Sequence, residues 1–574
     1  MPTEVCYTSV GSICPIHMPS FYDTYTNIAV INNDICIRLR HPETKHGEYY
    51  KITDFTPTTF SLTSSEHMTD GWKTLDGTPL RQRVHKNIKT YNIYVDQAAA
   101  EGKKIFGVIS PMHQFMASYT TSQCGVPFDS IRAAFLDIEV ETTGGFATPE
   151  NPYQPVTAIT VEIWGTYWVW GFGDYTPTAK NINYTKCKNE NTLLTSFIKW
   201  WTTDYPDIIT GWNTSGYDIP YIIKRINLLH KDGHLKWDAR VLSPWRKITS
   251  RSITIMGREQ ELIDIVGVAS LDYLDLYKKF SSTQRESYRL DAIAEAELGK
   301  KKLSYDEYGS LQKLAEEDYQ KFISYNITDV ELVRALNNKL HHLDLCVQIA
   351  YGARTNYVDT FKPVRLWDAM MYYELFSKHI AVPTKIDQQK NVDFMGAYVK
   401  VPIVGEHSWV VSFDVNSLYP SIMRQWNISP DRHLSIEWLR NRLTQIEYED
   451  VNTDIQVFSS EECTPREWIT NVSSDDIKIV RWALQSLIEY LETSDIDSML
   501  RDISAHDDPW PWLRVLSVTV SPNKQAFRVD HIGFLSEMLA ALYNERSANK
   551  KIATNASKEV ERIEHILKER GVQF

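Results

Sequence analysis

An apolar run interrupted by two carboxylates constrains this chain more than any other feature. Residues 133–140 read Ala-Ala-Phe-Leu-Asp-Ile-Glu-Val, and their apolar, β-favouring content predicts a strand. Successive side chains on a strand point to opposite faces. Leu136 and Ile138 therefore face a core, and Asp137 and Glu139 share the other face. Two carboxylates side by side repel each other unless a cation lies between them. Hard oxygen ligands of this kind favour magnesium or manganese. Asp-x-Glu is common by chance, so the pair alone does not establish a metal site.

Two further acidic positions have contexts of their own. Ile208-Ile209-Thr210-Gly211-Trp212-Asn213, followed by Asp218-Ile219-Pro220-Tyr221-Ile222, reads as strand, loop and helix start. Asp218 falls at the helix N-terminus and Pro220 in its first turn. An isolated Asp there is most simply an N-cap. Tyr325-Asn326-Ile327-Thr328-Asp329 lies in a helical stretch over 313–352. The i, i+4 spacing stacks Tyr325 and Asp329 on one face. By itself the pentapeptide is an ordinary amphipathic helix with a surface Asp.

Residues 1–130 mix short β-rich runs with turns and predict an α+β domain. From 131 onward, strand-like runs at 133–140 and 156–170 alternate with helical periods, which predicts a layered α/β domain. Residues 253–266, with Gly257 near the start, read as a hairpin. Residues 409–414 read as a buried strand running into a turn and helix. Residues 431–525 are an acidic mixture containing Trp510 and Trp512 and carry no readable motif. Residues 532–570 are strong helix formers, with Gly571 as a C-cap.

A chain of 574 residues is long enough for several domains, and 43% hydrophobic with 23% charged residues suits a folded protein. No apolar run is long enough to span a bilayer, and the N-terminus does not read as a signal peptide. Seven scattered cysteines contain no Cys-x-x-Cys pair, which argues against a zinc ribbon and fits a reducing interior. A net charge of −12 is unusual for a nucleic-acid binder. It is compatible with one whose carboxylates gather at metal sites and whose basic residues line a groove.

Taken together, the three carboxylate contexts resemble the DEDDy exonucleases in order and setting. The resemblance implies an RNase H-like domain in which Asp137, Glu139, Asp218 and Asp329 hold two Mg2+ (or Mn2+) ions. Tyr325 would orient the attacking water. Two cations about 4 Å apart suit an in-line phosphodiester cleavage, because they stabilise both attacking and leaving oxygens.

Longer stretches resemble the family B DNA polymerases of large tailed phages. One is Leu271-Asp272-Tyr273-Leu274-Asp275-Leu276-Tyr277-Lys278-Lys279-Phe280. The most specific is Ser412-Phe413-Asp414-Val415-Asn416-Ser417-Leu418-Tyr419-Pro420-Ser421-Ile422, followed by Asn427-Ile428-Ser429-Pro430. The latter looks like palm motif A. The resemblance implies that Asp414 and the Val415 carbonyl bind a metal ion. The turn Val415, Asn416, Ser417 and Leu418 would then offer its backbone to a nucleotide triphosphate, and Tyr419 would be the steric gate. Phe394-Met395-Gly396-Ala397 resembles the element linking exonuclease and palm, with Phe394 where the family has Tyr. The hairpin around Gly257 resembles one that separates primer from template. Tyr543-Asn544-Glu545-Arg546 resembles the first fingers helix, in which Arg546 and Lys550 (i, i+4) would grip the triphosphate; a solvated helix face is the competing reading.

The sequence contains no Lys-x-x-x-Asn-Ser-x-Tyr-Gly element and no Asp-Thr-Asp hairpin. Asp414 alone does not make a two-metal polymerase site. The expectation is a split polymerase ending near the fingers tip at Gly571-Val572-Gln573-Phe574, although a truncated piece would end the same way. A second chain would supply motifs B and C and the thumb, and through it a sliding clamp. The expected domains are 1–130 (with 340–385), the 3′→5′ exonuclease 131–339, a partial palm 386–430, an insertion 431–530 and the first fingers helix 531–574. The expected ligands are primer–template, single-stranded DNA and dNTPs, in the host cytoplasm and without a membrane partner. A stand-alone DEDDy exonuclease and a non-catalytic DNA-binding assembly subunit are the alternatives.

Overall fold

The computed structural model describes residues 21–384, 399–449, 474–492 and 516–570, apart from positions 122, 123, 144, 146, 256, 257, 282, 416 and 522. The fold is mixed α/β and multidomain. Two compact units divide it. One contains the described parts of 1–59, 83–103 and 109–373, and the other 60–82, 104–108 and the described parts of 374–574.

The first unit opens with an antiparallel meander of β1 (Tyr25–Ile31), β2 (Asp34–Arg40) and β3 (Gly47–Ile52). β2 carries two buried arginines, Arg38 and Arg40. Both pair with buried Asp207, at 3.0 and 2.8 Å. Asp207 also accepts from Thr26 Oγ1 and the Arg132 amide, at 2.9 Å each. Burial alone would raise its pKa, but Arg40 and Arg38 hold the carboxyl below its ordinary range.

From residue 131 to 270 come eight described strands: β4 (Ala133–Val140), β5 (Val156–Ile163), β6 (Thr166–Gly171), β7 (Ile182–Lys186), β8 (Ile208–Thr210), β9 (Ile248–Ile255), β10 (Arg258–Ile265) and β11 (Ala269–Ser270). Six form one sheet in the order β11-β8-β4-β5-β6-β7, and β9 pairs with β10. The run expected over 156–170 is two strands, because Trp164 and Gly165 take positive φ (51° and 81°) in a tight turn. The expected hairpin begins earlier than 253, at Ile248, and Ile255 faces Arg258. Gly257 lies outside the described residues.

Helices cover both faces of the large sheet. On one, Leu136, Ile138, Ile159 and Val161 pack against α1 (Glu190–Thr203) and α2 (Asp218–Lys231) through Phe197, Trp201, Ile222 and Ile226. α3 (Tyr273–Phe280) follows β11. On the other face, Ala158 and Val169 meet α4 (Leu311–Glu317) and α5 (Tyr319–Leu340) through Leu314, Phe322, Ile323 and Ile327. The helix expected over 313–352 is therefore broken. Asp318 caps α5 by accepting from Lys321 N, and left-handed His341 separates α5 from α6 (His342–Gly352).

In the second unit, α7 (Leu418–Gln425) precedes a small antiparallel sheet of β12 (His433–Leu434), β13 (Val518–Val520) and β14 (Ala526–Arg528), ordered β12-β14-β13. Helices α8 (Ile436–Glu449) and α9 (Ser474–Glu492) share a core with it, made by Leu434, Leu439, Leu484, Leu487, Val518 and Ala526. The region without a readable motif thus contains a packed α/β element. Trp510 and Trp512 lie outside the described residues. α10 (Phe534–Glu569) runs through the expected C-terminal helix. Gly571 lies outside the described residues.

Candidate metal centre

β4 is an interior strand of its sheet, and its alternation places Leu136 and Ile138 in the core beneath α1 and α2. Asp137 and Glu139 therefore face the side covered by α5. The register puts Asp137 opposite Thr160, and a bulge follows Glu139, where pairing shifts from Ala158 to Val156. From α5, Tyr325, Asn326 and Asp329 complete the wall. Carboxylate oxygens of Asp137, Glu139 and Asp329 all lie within 4.8 Å of one another.

Asp218 reaches the same strand by a different route. It is not the N-cap of α2; that place belongs to Tyr217. Its Oδ1 accepts from the Ile138 amide at 3.1 Å, between the two strand carboxylates, and Asp218 stands outside the three-carboxylate group. The loop before it is held close to β4. A Cβ on Gly211 would stand 2.3 Å from the Leu136 carbonyl oxygen, so only glycine fits without displacing backbone. Asp272 accepts the amides of Asn213 (3.0 Å) and Ser215 (2.9 Å) in that loop and caps α3 through Leu274 N at 3.0 Å.

The electrostatics follow from burial and crowding. Burial first, then Asp329, Asp218 and Glu139, push Asp137 well above the ordinary carboxylate range. Burial and Asp329 raise Glu139 to about 8. Asp218 rises to about 7, chiefly from burial, against the Ile138 amide bond that lowers it. Asp329 rises to about 6 from burial, with Lys302 opposing. The fit to a divalent cation is good. Several carboxylates face one another at mutual cost, and among the described residues Asp329 Oδ1 is buried without a hydrogen-bond partner.

Sequence reading missed two neighbours. Lys302, the last residue of the run Lys300-Lys301-Lys302, forms an ion pair with Asp329 Oδ2 and stands 4.3 Å from the Tyr325 ring centroid. Asn326 Nδ2 donates to Asp137 Oδ2 at 2.6 Å. Tyr325 also packs edge-on against Tyr305 at 5.3 Å. Burial and Asp329 raise the Tyr325 pKa, so its phenol stays protonated at neutral pH.

The Asp414 segment corrects an expectation. Residues 409–415 form no strand among the described residues and are exposed, with Trp409 at 98% and Phe413 at 90%. An apolar strand is buried only when neighbours pair with it and cover it, and no described strand does so. Asp414, Val415, Leu418 and Tyr419 are likewise exposed. Asn416 and 394–397 lie outside the described residues. Arg546 Nη1 on α10 does reach Ser417 Oγ, at 3.2 Å, and Arg424 lies over the Tyr543 ring at 5.1 Å. Asn427 sets this geometry. Its amide donates to the Arg528 and His531 carbonyls (2.6 and 2.7 Å) and accepts from Gly533 N (2.8 Å), just before α10. Lys550 is exposed one turn beyond Arg546.

Residues 87–293 match the exonuclease domain of DNA polymerase family B, and residues 368–468 match DNA polymerase family B. The chain belongs to the family B DNA polymerases. Among family B relatives, it is 33% identical over 386 residues to the DNA-directed DNA polymerase of Escherichia phage RB69, covering 62% of this chain and 42% of that protein. It is 30% identical over 438 residues to that of Enterobacteria phage T4, covering 71% and 47%. The DNA polymerase delta catalytic subunit of Candida albicans is 26% identical over 320 residues, covering 52% and 30%. The chain thus spans less than half the length of these relatives. Asp137, Glu139 and Asp218 fall within the exonuclease match and residues 414–419 within the second. Tyr325, Asp329, Arg546 and Lys550 lie in neither.

Proposed function

We propose that the chain is a 3′→5′ exonuclease acting on single-stranded DNA ends during replication, and that it contributes part of a DNA polymerase site. The convergence of Asp137, Glu139 and Asp329 carries this reading. These three, with Asp218, would hold two Mg2+ or Mn2+ ions. The ions would neutralise the crowded carboxylates, activate water and stabilise the departing oxygen. Tyr325, held protonated, donates a hydrogen bond and orients the attacking water rather than removing its proton. Lys302 keeps a positive charge against Asp329 and Tyr325.

Residues 131–339 serve as the nuclease domain and 386–430 as the palm portion of this reading. In the palm, Asp414 and the Val415 carbonyl take a metal ion, residues 415–418 the triphosphate and Tyr419 the sugar. Arg546 and Lys550 bind phosphate. The Arg546–Ser417 contact favours this over a stand-alone nuclease, because it brings an α10 guanidinium onto the motif A turn. Motifs B and C and the thumb come from polypeptide outside these 574 residues, whether joined to them or not. Primer–template DNA, dNTPs, a clamp reached through that polypeptide and the host cytoplasm complete the assignment. Among the described residues, no helix is long and apolar enough to cross a membrane.

The test compares wild type with an Asp137→Ala/Glu139→Ala variant on single-stranded DNA with Mg2+. Mg2+-dependent shortening by wild type, absent from the variant, is expected. Equal shortening by both would place the nuclease elsewhere or in a contaminant.

A further inference from the structure

Asn326 is fully buried on α5, beside Tyr325 and three residues before Asp329. Its amide bridges two paired strands. Nδ2 donates to Asp137 on β4, Oδ1 accepts from Thr160 Oγ1 on β5, and Asp137 and Thr160 face each other in the register. Asn326 also lies near enough to Glu139 to lower its pKa. Turned end for end, the amide would set its oxygen against a carboxylate oxygen, so the observed orientation is the one these partners enforce. A buried amide is costly unless satisfied, and here both ends are satisfied inside the carboxylate cluster.

The chemistry of the donor matters. A lysine or arginine here would cancel the negative charge that a cation needs. A neutral amide orients a carboxylate and leaves its charge in place. It does so here at Asp137 Oδ2.

We propose that Asn326, locked by Thr160, is a positioning residue for the cation site: it fixes the plane of the Asp137 carboxylate and its spacing from Glu139, so that an oxygen of each stays close to Asp329. This rests on the metal-centre reading above and extends it to two uncharged residues on separate elements. Partners of metal ligands typically contribute about 10–100-fold in metal affinity.

Calorimetric titration with Mn2+ alone tests it, using wild type, Asn326→Ala, Thr160→Val, Thr160→Ser and Asp137→Ala/Glu139→Ala. Each is first shown to be folded by a melt in EDTA. Saturable Mn2+ binding by wild type that is lost in the double variant is expected. Asn326→Ala and Thr160→Val should weaken it about 10-fold or more, while Thr160→Ser, which keeps the hydroxyl, retains wild-type affinity. Raising Mn2+ should restore most of the exonuclease rate of Asn326→Ala. Wild-type affinity in folded Asn326→Ala and Thr160→Val would overturn the proposal while leaving the metal centre standing. Mn2+ binding indifferent to the double variant would overturn both. If Asn326→Ala does not fold, the Thr160→Val and Thr160→Ser pair decides.

Discussion

Lys302 pairs with Asp329 Oδ2, from a loop to a helix, at the edge of the carboxylate cluster. The lysine is half-buried, and its loss of water alone would lower its pKa. The Asp329 and Tyr325 contacts outweigh burial and hold it charged. In turn it lowers the pKa of Asp137, Glu139 and Asp329. Asp329 thus offers one oxygen to a cationic side chain and keeps the other, Oδ1, unpartnered among the described residues.

Replacing Lys302 with methionine keeps the bulk and removes the charge. The neighbouring carboxylates then hold protons to higher pH, so the acid limb of the exonuclease pH profile moves upward. Activity at pH 6.5 should fall on the order of tenfold, more than at pH 8.5. An unmoved profile would show that Lys302 does not set the charge of the cluster.

The cluster also makes metal-free stability depend on pH. Glu139, Asp218 and Asp329 have folded pKa values near 8, 7 and 6, all raised by burial, against about 4 when unfolded. The folded state binds more protons in between, so these groups destabilise the fold as pH rises from about 5 to 8. In EDTA the melting temperature should decline over that range. Mg2+ should raise it more at pH 8 than at pH 6. A flat profile in EDTA would contradict the crowded-carboxylate account.

Asp207 gives the opposite kind of dependence. Asp207→Ala leaves Arg38 and Arg40 buried without their shared carboxylate. Removing one partner of a buried pair costs about 3–5 kcal/mol. Arg40 keeps Asp204 at 3.1 Å, which moderates the loss. Chemical denaturation of the folded chain measures it, and a cost under about 1 kcal/mol would make the pair incidental.

Local periodicity made much of this legible. Strand 133–140, the helix start at Asp218 and the i, i+4 pair Tyr325/Asp329 each carry their own pattern, and the first fell on its observed bounds. What periodicity does not carry is long-range pairing. Asn326 and Asp137 are 189 residues apart, and nothing in Tyr-Asn-Ile-Thr-Asp distinguishes a bridging amide from a spare one. The break at Asp318 was hidden because the helical pattern resumes at once on its far side. Residues 409–414 look like a core strand because they are apolar, but burial belongs to the sheet that covers a strand rather than to the strand. The element holding Leu434, Leu484 and Val518 is assembled from segments far apart in the chain, so no single stretch announces it.

Asp137, Glu139, Asp218 and Asp329 together form the proposed exonuclease centre. The most direct measurement follows two single strands in parallel, one labelled at the 3′ end and one at the 5′ end, with Mg2+, wild type and Asp329→Ala. Wild type is expected to release the 3′ label at once as a mononucleotide while the 5′-labelled strand shortens stepwise, and Asp329→Ala to do neither. Immediate release of the 5′ label, or an undiminished rate in Asp329→Ala, would contradict that assignment.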